Sequence, residues 1–351
     1  MGKTKVFIVD DSAIVREILT DRLSKHPQIE VVGSAMDPYV ARDKLEKIDV
    51  DVITLDIEMP RMDGLTFLRQ LMKHYPKPVV IVSSLAKESS PAAMEALELG
   101  AVDVVPKPGG PFSVEEVVDL LIDRILAAKE ADMTKLQAHS QKIRAAPGVK
   151  VQKSYLTSLK TTNQLIAVGA STGGTIALEE IFRDWQPDFP PTLAVIHMPE
   201  RFTATFASRL NDLCQVTVKE AENGERILPG TIYFAPGNYH MLLRTQGTER
   251  TLKITNGPKV CNQRPAVDVL FNSVADQVGR NCLGILLTGM GKDGAQGLLK
   301  IKNAGGHTIA QDEATSIVWG MPKEAIDLGA TDKVLPLWGI TEYVKRKLSG
   351  K

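Results

Sequence analysis

The sequence predicts an α/β protein with two domains, each built around a parallel β-sheet. Its 351 residues correspond to about two domains of the usual ~150 residues. Short β-branched runs alternate with helical periods in two stretches, and a polar segment separates them. We therefore expect a first domain over residues 1–128, a linker over 129–160 and a second domain over 161–351.

The first domain contains five short runs that are apolar almost without interruption. Strands that are buried on both faces of a parallel sheet have this pattern. The stretches between them, such as SAIVREILTDRLSKH and GLTFLRQLMKHY, carry apolar residues at helical spacing. This alternation predicts a doubly wound sheet of five parallel strands. The five runs are KVFIVD, VVGSAM, VDVITLDI, VVIVSS and VDVVPK.

The second domain repeats the alternation and predicts a doubly wound, mostly parallel α/β fold. Its middle, residues 215–255, is rich in β-branched residues with little helical pattern, which predicts a β-hairpin excursion from the sheet. The segment before this domain is polar and weakly periodic, and we expect a linker that is helical only where it continues the preceding amphipathic stretch. The predicted strands are LIAVGAS, TLAVIH, QVTVKE, TIYFAP, CLGILLTGM and HTIAQD.

Composition favours a soluble, cytoplasmic protein without nucleic-acid partners or membrane insertion. Lys and Arg together number 42, as do Asp and Glu, so no net charge attracts nucleic acid or an anionic membrane. The three cysteines are scattered and form no C-x-x-C pair, which is typical of a reducing compartment. No apolar run approaches the ~20 residues of a membrane span.

Three carboxylates follow strands of the first domain at one edge of its predicted sheet. Asp10 and Asp11 follow the first strand, and Asp56 ends the third. Ligands of such sheets bind at the carboxyl ends of the strands. Three carboxylates there would repel one another, so we expect a divalent cation, and hard oxygen ligands suit Mg²⁺. A single aspartate at a strand end is usually a capping residue, so the prediction depends on all three.

The same edge receives two further polar groups. The fourth strand ends in Ser83 and Ser84, and the fifth ends at Lys107. A carboxylate beside Mg²⁺, a hydroxyl and an ammonium group favours a phosphoryl group on Asp56. The metal and Lys107 would offset the charge on the transferred oxygens.

In these motifs the first domain resembles a response-regulator receiver domain. The motifs are VDDS, LDIEMPRMDGL, VSS and GAVDVVPKP. The resemblance implies a flavodoxin-like fold and transfer of phosphate from a histidine kinase to Asp56. Ser83 aligns best with the switch hydroxyl of that family, and its neighbour Ser84 remains an alternative. The implied magnesium site consists of Asp11, Asp56 and the backbone carbonyl of Glu58, with Asp10 nearby.

The second domain begins with a strand that ends in a glycine-flanked serine. The stretch GASTG around Ser171 fits the G-x-S-x-G spacing of a nucleophile elbow. Its glycines permit a tight turn, and the helix that follows near Gly173 directs N–H groups toward the hydroxyl. A phosphate-binding turn and a simple packing turn are alternatives, although GASTGG lacks the Lys-Ser/Thr of a P-loop.

A nucleophilic hydroxyl needs a base, and His197 is the best of the six histidines. It ends the strand TLAVIH and therefore lies at the same sheet edge as Ser171. The remaining histidines lie in other contexts: His26 and His74 in helices of the first domain, His139 in the linker, His240 in the predicted hairpin and His307 at the start of a strand.

Asp293 is the predicted orienting carboxylate for that base. It follows the strand end ILLTGM among glycines, so three strand ends would deliver a hydroxyl, an imidazole and a carboxylate to one rim. The chain order is Ser, His, Asp, whereas α/β-hydrolases have the order Ser, acid, His. The elbow motif therefore does not imply the α/β-hydrolase fold.

From about residue 164 to the end, the chain resembles the catalytic domain of the chemotaxis protein-glutamate methylesterases. The resemblance rests on HMPERFTATFASRLN, EAENGERILPGTIYFAPGNYHMLL, RPAVDVLFNS and TGMGKDG. It implies that Ser171 is the nucleophile, His197 the base and Asp293 the orienting residue. It also implies an oxyanion hole with the backbone N–H of Met290, and Thr172 is a neighbouring residue that would contribute to the site. The segment CNQRPAVD departs from the family pattern, which leaves the contact of Arg264 with substrate open.

The resemblance implies hydrolysis of glutamate methyl esters on chemoreceptors, with release of methanol and a related deamidation of glutamines. It implies no cofactor for hydrolysis, so Mg²⁺ belongs to the receiver alone. We also hypothesise that the unphosphorylated receiver covers the sheet edge that carries Ser171 and blocks access of the receptor until Asp56 is phosphorylated. Two alternatives stay open: a receiver-controlled serine esterase or amidase for a small molecule, and a response regulator with a DNA-binding output, which the absence of a basic recognition helix disfavours.

Overall fold

The structure is a computed structural model, and it describes residues 2–84, 90–108, 113–145 and 163–349. The chain divides into two compact units, Met1–Ala146 and Pro147–Lys351. Each unit is an α/β fold, as the sequence predicts. No helix in the described ranges is both long enough and apolar enough to cross a membrane.

The first unit contains a five-stranded parallel sheet in the order β2-β1-β3-β4-β5. This is the flavodoxin-like order, which confirms the predicted fold class. The strands are β1 (Thr4–Val9), β2 (Ile29–Ala35), β3 (Val52–Asp56), β4 (Val79–Ser83) and β5 (Asp103–Pro106). The helices are α1 (Ala13–Ser24), α2 (Pro38–Leu45), α3 (Gly64–His74), α4 (Ser90–Leu99), α5 (Val114–Lys129) and α6 (Met133–Ala145).

Helix α6 occupies the beginning of the segment predicted as a linker. Leu136 of this helix is buried, and the Gln137 side chain donates a hydrogen bond to the carbonyl of Met72 in α3. The first unit therefore extends to Ala146, beyond the predicted boundary at 128. The remainder of the predicted linker lies outside the described residues.

The second unit contains a seven-stranded sheet in the order β14-β13-β12-β6-β7-β9-β8, and every strand pair in it is parallel. Its strands are β6 (Leu165–Ala170), β7 (Thr192–Ile196), β8 (Thr217–Glu220), β9 (Thr231–Phe234), β12 (Cys282–Leu286), β13 (His307–Gln311) and β14 (Lys333–Leu335). Its helices are α7 (Gly174–Arg183), α8 (Phe202–Leu213), α9 (Val267–Val278), α10 (Ala295–Asn303), α11 (Met321–Asp327) and α12 (Leu337–Leu348).

The predicted excursion is a separate antiparallel hairpin of β10 (His240–Gln246) and β11 (Glu249–Thr255). It packs against α9, where the backbone N–H of Leu243 donates to the Ser273 hydroxyl. Strands β8 and β9, which share the β-rich segment with the hairpin, belong to the main sheet. The excursion is therefore shorter than the β-rich pattern of residues 215–255 suggests.

The first strand of the second unit, β6, lies in the middle of the seven-stranded sheet and is completely buried. The chain continues to β7 on one side, and it later returns to β12 on the other side. The strand order thus reverses at β6, and such a switch point leaves a crevice at the carboxyl ends of the strands, where open α/β sheets bind ligands.

Helix α9 can lie close to β6 because residue 169 has no side chain. A Cβ atom at Gly169 would overlap the methyl groups of Val267, the first residue of α9, and crowd Leu286 of β12. The glycine therefore sets the distance between the central strand and this helix.

We expect Gly169→Ala to lower the free energy of unfolding by about 1–3 kcal/mol, the usual cost of overpacking a core. Urea titration measures the change. Gly257→Ala is the matched control, since its Cβ would make only an ordinary contact with His240. Addition of Val267→Ala to Gly169→Ala should recover part of the loss. Equal stability of the Gly169 variant and wild type would contradict this packing argument.

Candidate active site

The structure brings Ser171, His197 and Asp293 together at the crevice beside β6. Ser171 directly follows β6, His197 follows the neighbouring β7, and Asp293 lies in the loop between β12 and α10. Hydrogen bonds between adjacent strands continue to the site. The backbone N–H of Ser171 donates to the Thr288 carbonyl at 3.0 Å, and that of His197 donates to the Ala170 carbonyl at 3.2 Å. The main chain of the sheet therefore positions the serine and the histidine directly.

The three side chains form a continuous chain of contacts. His197 Nδ1 lies 3.1 Å from Ser171 Oγ, and His197 Nε2 lies 2.7 Å from Asp293 Oδ2. Each residue is buried, with 5%, 6% and 2% of the surface of Ser171, His197 and Asp293 exposed. The carboxylate can only accept, so the geometry fits the tautomer with its proton on Nε2. Nδ1 is then free of a proton and faces the hydroxyl.

The carboxylate of Asp293 also binds the start of helix α9. Its Oδ2 accepts the backbone N–H of Val267 at 2.7 Å, and its Oδ1 accepts that of Asp268 at 2.9 Å. Donors at a helix N-terminus favour an anion, and charge-assisted hydrogen bonds are the stronger ones. Asp293 is thus held in position beside His197.

The turn after Ser171 is tight because glycine adopts the left-handed conformation there. Gly173 has φ +78°, and the N–H of Gly174 donates to the Ser171 carbonyl at 2.7 Å. Helix α7 begins at Gly174, so its N-terminus lies immediately after the serine. Thr172 is buried, and its carbonyl accepts from the Thr288 hydroxyl at 3.0 Å. This is the strand-turn-helix context that the nucleophile-elbow motif requires.

Met290, the predicted oxyanion residue, lies on the loop after β12 and is 38% exposed. The residue before it, Gly289, must be a glycine because an added Cβ would meet the Cβ of Ser171 at 2.6 Å. The carbonyl of Gly289 accepts the N–H of Met321 at 2.7 Å. The loop that carries Met290 thus lies directly against the serine, where a backbone donor for a substrate oxygen is needed.

The two other histidines of this unit have structural partners. His240 Nε2 donates to the Pro258 carbonyl at 2.9 Å, and its Nδ1 accepts the N–H of Ala266 at 3.2 Å. Burial lowers the pKa of His240, so it remains a neutral support for the segment before α9. His307 Nε2 lies 2.7 Å from the Tyr343 hydroxyl. Neither histidine makes a hydrogen bond with Ser171 in the described ranges.

Arg264 donates hydrogen bonds to two neighbouring loops of the second unit. Its Nε and Nη2 donate to the Asn238 side-chain oxygen at 3.0 and 2.6 Å, and its Nη1 donates to the carbonyls of Asn256 and Gly257. The guanidinium thereby joins the loop after β9 to the segment after β11. These hydrogen bonds give the Arg264 side chain a role in holding the two loops together, and its contact with substrate stays open.

The first unit gathers Asp10, Asp11 and Asp56 at the carboxyl edge of its own sheet. One carboxylate oxygen from each lies within 4.8 Å of the others. Lys107 Nζ lies 2.7 Å from Asp56 Oδ2 and 3.2 Å from Asp10 Oδ2. The backbone N–H of Glu58 donates to Asp56 Oδ1 at 3.1 Å. The structure therefore assembles the carboxylates and the lysine that the sequence places at these strand ends.

This carboxylate cluster has the properties of a site for a hard cation. Burial raises the pKa of Asp10, and it raises the pKa of Asp56 to about 6 although Lys107 acts in the opposite direction. Ionisation of Asp56 therefore weakens the folded state as the pH rises through about 6. A divalent cation would remove this cost, and an all-oxygen donor set fits Mg²⁺.

The two candidate switch hydroxyls lie in different environments. Ser83 ends β4 and is completely buried, with its Oγ 3.5 Å from the Ser84 carbonyl. Ser84 is half-buried, and its hydroxyl donates to Glu58 Oε1 at 3.3 Å. The carbonyl of Ser83 also accepts the backbone N–H of Lys107 at 2.8 Å, which joins the main chains of the two residues at the ends of β4 and β5. Ser83 as the switch residue stays a prediction.

The family model of the CheB methylesterase matches residues 166–344, and that of the response regulator receiver domain matches residues 6–119. The chain belongs to the CheB methylesterase family. These matches confirm both resemblances that the sequence motifs indicate. The match to the methylesterase model extends from β6 into α12 and includes Ser171, His197 and Asp293.

Curated relatives match the chain over almost its whole length. The protein-glutamate methylesterase/protein-glutamine glutaminase 2 of Syntrophus aciditrophicus is 52% identical over 346 residues, covering 99% of each chain. A protein of Thiobacillus denitrificans with the same description is 49% identical and covers 95% of this chain and 94% of the relative. The crystal structure of the Thermotoga maritima CheB methylesterase catalytic domain is 39% identical, covers 52% of this chain and 98% of that domain, and has a TM-score of 0.51.

The substitution Lys107→Met should raise the pKa of Asp56 above its value of about 6. The lysine supplies a hydrogen bond and a positive charge that favour the carboxylate, whereas burial would remain. NMR titration of the Asp56 Cγ resonance in magnesium-free buffer measures this change. Lys129→Met is the control, because that lysine pairs with Asp51 on the surface. A pKa of Asp56 that falls or does not move would contradict the electrostatic account.

Proposed function

We propose that this protein is a phosphorylation-activated serine hydrolase that demethylates glutamate methyl esters on chemoreceptors and deamidates receptor glutamines. The observation that carries the proposal is the contact chain from Ser171 through His197 to Asp293, in a member of the CheB methylesterase family. Chemoreceptors as substrates, a histidine kinase as phosphodonor and a cytoplasmic location are parts of the same proposal. The names of the relatives support the reaction type.

The first step is attack by Ser171 on the ester carbonyl. His197 Nδ1 accepts the hydroxyl proton, since it faces Ser171 Oγ at 3.1 Å. The imidazolium that forms is stabilised by Asp293, which accepts its Nε2–H at 2.7 Å. Nδ1 of His197 must therefore be unprotonated when the attack begins.

The negative oxygen of the tetrahedral intermediate needs donors, and the backbone N–H of Met290 is our candidate. Thr172, next to the nucleophile and near the N-terminus of α7, is the neighbouring candidate. One such donor typically contributes about 3–4 kcal/mol to the stability of the transition state. Since these donors belong to rigid turns against Ser171, they need little rearrangement during the reaction.

The intermediate collapses when the leaving group takes a proton from His197. For a methyl ester the product is methanol, and for a glutamine side chain it is ammonia. Water then attacks the acyl-enzyme while His197 accepts a proton from it. His197 returns this proton to Ser171 Oγ as the acyl–oxygen bond breaks, which leaves a glutamate side chain and free Ser171. Residues of this chain perform every proton transfer, and we expect hydrolysis without a cofactor.

Asp56 is our candidate for the phosphate acceptor that controls this activity. Asp10, Asp11 and Asp56, with the backbone carbonyl of Glu58, would hold Mg²⁺. When bound, the ion supplies positive charge to the phosphoryl oxygens. Lys107 Nζ, 2.7 Å from Asp56 Oδ2, would supply a second positive charge to the phosphoryl oxygens. Ser83 is the candidate hydroxyl that responds to the phosphate.

The Ser171→Ala variant should release methanol from methylated receptor membranes at least ~10⁴-fold more slowly than wild type, because it lacks the nucleophile. Its circular dichroism and thermal unfolding should match wild type. Ser208→Ala is the control, since that serine is exposed on α8. Retained turnover in the Ser171 variant would reject the assignment. Wild type that cleaves free small esters and leaves receptors methylated would favour the small-molecule esterase.

The Asp56→Asn variant should keep the basal rate of methanol release and lose its stimulation by a small phosphodonor such as acetyl phosphate with Mg²⁺. The amide has no anionic oxygen to accept phosphate, whereas the second unit is unchanged. The exposed Asp49, which pairs with Lys5, provides the control variant Asp49→Asn. If the Asp56 variant were still stimulated, phosphorylation of another residue would have to explain the response.

A further inference from the structure

Two helices of the second unit begin beside the predicted catalytic carboxylate, and neither supplies its own side-chain cap. The residue before α9 is Ala266 and the residue before α10 is Gly294, and neither makes a side-chain capping hydrogen bond. The first N–H groups of a helix have no partner within it. In a buried position, those groups require acceptors from elsewhere.

Each helix receives its acceptor from the segment that begins the other helix. Asp293, which precedes α10, accepts the N–H groups of Val267 and Asp268 in α9 at 2.7 and 2.9 Å. Asp268, in the first turn of α9, accepts the N–H of Gly297 in α10 at 2.7 Å. The two carboxylates thus cap the two helices reciprocally, and the position of Asp293 depends on this arrangement.

We propose that Asp268 is a positioning residue for the esterase reaction, which acts through Asp293 by fixing α10 against α9 and by placing a second negative charge beside the Asp293–His197 pair. This inference rests on the proposed function. Asp268 makes no hydrogen bond with Ser171 or His197 in the described ranges, so its effect on the reaction is indirect.

Ionisation of Asp268 costs free energy because the side chain is buried. Only 6% of the residue is exposed. Burial, followed by the charge of Asp293, raises the pKa of Asp268 to about 6. Asp293 and the thiol of Cys261 each have an atom within 4.8 Å of an oxygen of the Asp268 carboxylate. An asparagine could still accept the N–H of Gly297, so the cap alone does not require a carboxylate.

A second anion near Asp293 has an effect on the reaction that an amide would lack. When Ser171 gives its proton to His197, an imidazolium forms next to Asp293. Additional negative charge in a buried site favours that cation. The negative charge of Asp268 would therefore help to stabilise the imidazolium that forms during the attack, while ionisation of Asp268 weakens the folded state as the pH rises through about 6.

The test is Asp268→Asn, which keeps the shape and the oxygen acceptor and removes the charge. We expect kcat for methanol release from methylated receptor membranes to fall about fivefold or more, since the lost interaction is between buried charges. KM should stay within about twofold, because Asp268 does not touch substrate. The acid limb of the pH profile of kcat/KM should move to lower pH by about 0.3 unit or more. The melting temperature at pH 7.5 should equal or exceed that of wild type.

Asp276→Asn is the matched control, because Asp276 is an exposed aspartate on the same helix that pairs with Lys300. It should leave kcat, the acid limb and the melting temperature unchanged. Asp268→Ala removes the cap together with the charge, so it should lower the melting temperature and reduce kcat further than Asp268→Asn does.

The proposal is overturned if Asp268→Asn retains the kcat and the acid limb of wild type. It is equally overturned if that variant loses activity and melting temperature together while the acid limb does not move, since Asp268 would then be a structural cap only. Failure of the proposed function gives a different result, in which wild type releases no methanol from methylated receptors or Ser171→Ala remains active.

Discussion

The carboxylate of Asp293 is the point at which three parts of the second unit meet. Its oxygens accept the Nε2–H of His197 and the backbone N–H groups of Val267 and Asp268. The first contact orients the imidazole so that Nδ1 faces Ser171, and the other two attach the loop after β12 to helix α9. A buried anion with this many donors is satisfied only if all the surrounding elements are in place. The chemistry of the site therefore depends on the packing of β7, β12 and α9 around one side chain.

The position of β6 in the sheet explains why a serine there meets a histidine and an aspartate from distant parts of the chain. A parallel sheet brings all its strand ends to one edge, and the reversal of strand order at β6 leaves a crevice between neighbouring loops. Gly169 lets α9 approach the same strand, and Gly289 lets the following loop approach the serine. Small residues in the scaffold thus determine the geometry of the polar residues at its edge.

Both units place their candidate sites at the carboxyl edge of a parallel sheet, yet the sites differ in their electrostatics. In the first unit, the buried carboxylates of Asp10 and Asp56 have raised pKa values and lie beside the ammonium group of Lys107. In the second, the carboxylate of Asp293 accepts hydrogen bonds from backbone N–H groups and from the imidazole of His197. Burial makes charge costly in both cases. The two sites differ in the partners of the buried carboxylate. Asp56 pairs with the ammonium group of Lys107, whereas Asp293 binds two backbone N–H groups and the imidazole of His197.

The amino-acid pattern alone predicts the α/β class, the strands that precede each polar residue and the candidates Ser171, His197, Asp293, Asp56 and Lys107. These follow from local patterns, because a buried parallel strand is a continuous apolar run in the sequence. A polar residue at the end of such a run stands out from it. Local patterns do not report which strands are neighbours or which ring nitrogen faces the hydroxyl. The short, exposed strand β14 lacks an apolar run, and helix α6 is polar enough to resemble a linker. The link between Asp268 and Gly297 joins residues 29 positions apart, so only the tertiary structure, which decides how α9 and α10 pack, could assign a role to Asp268.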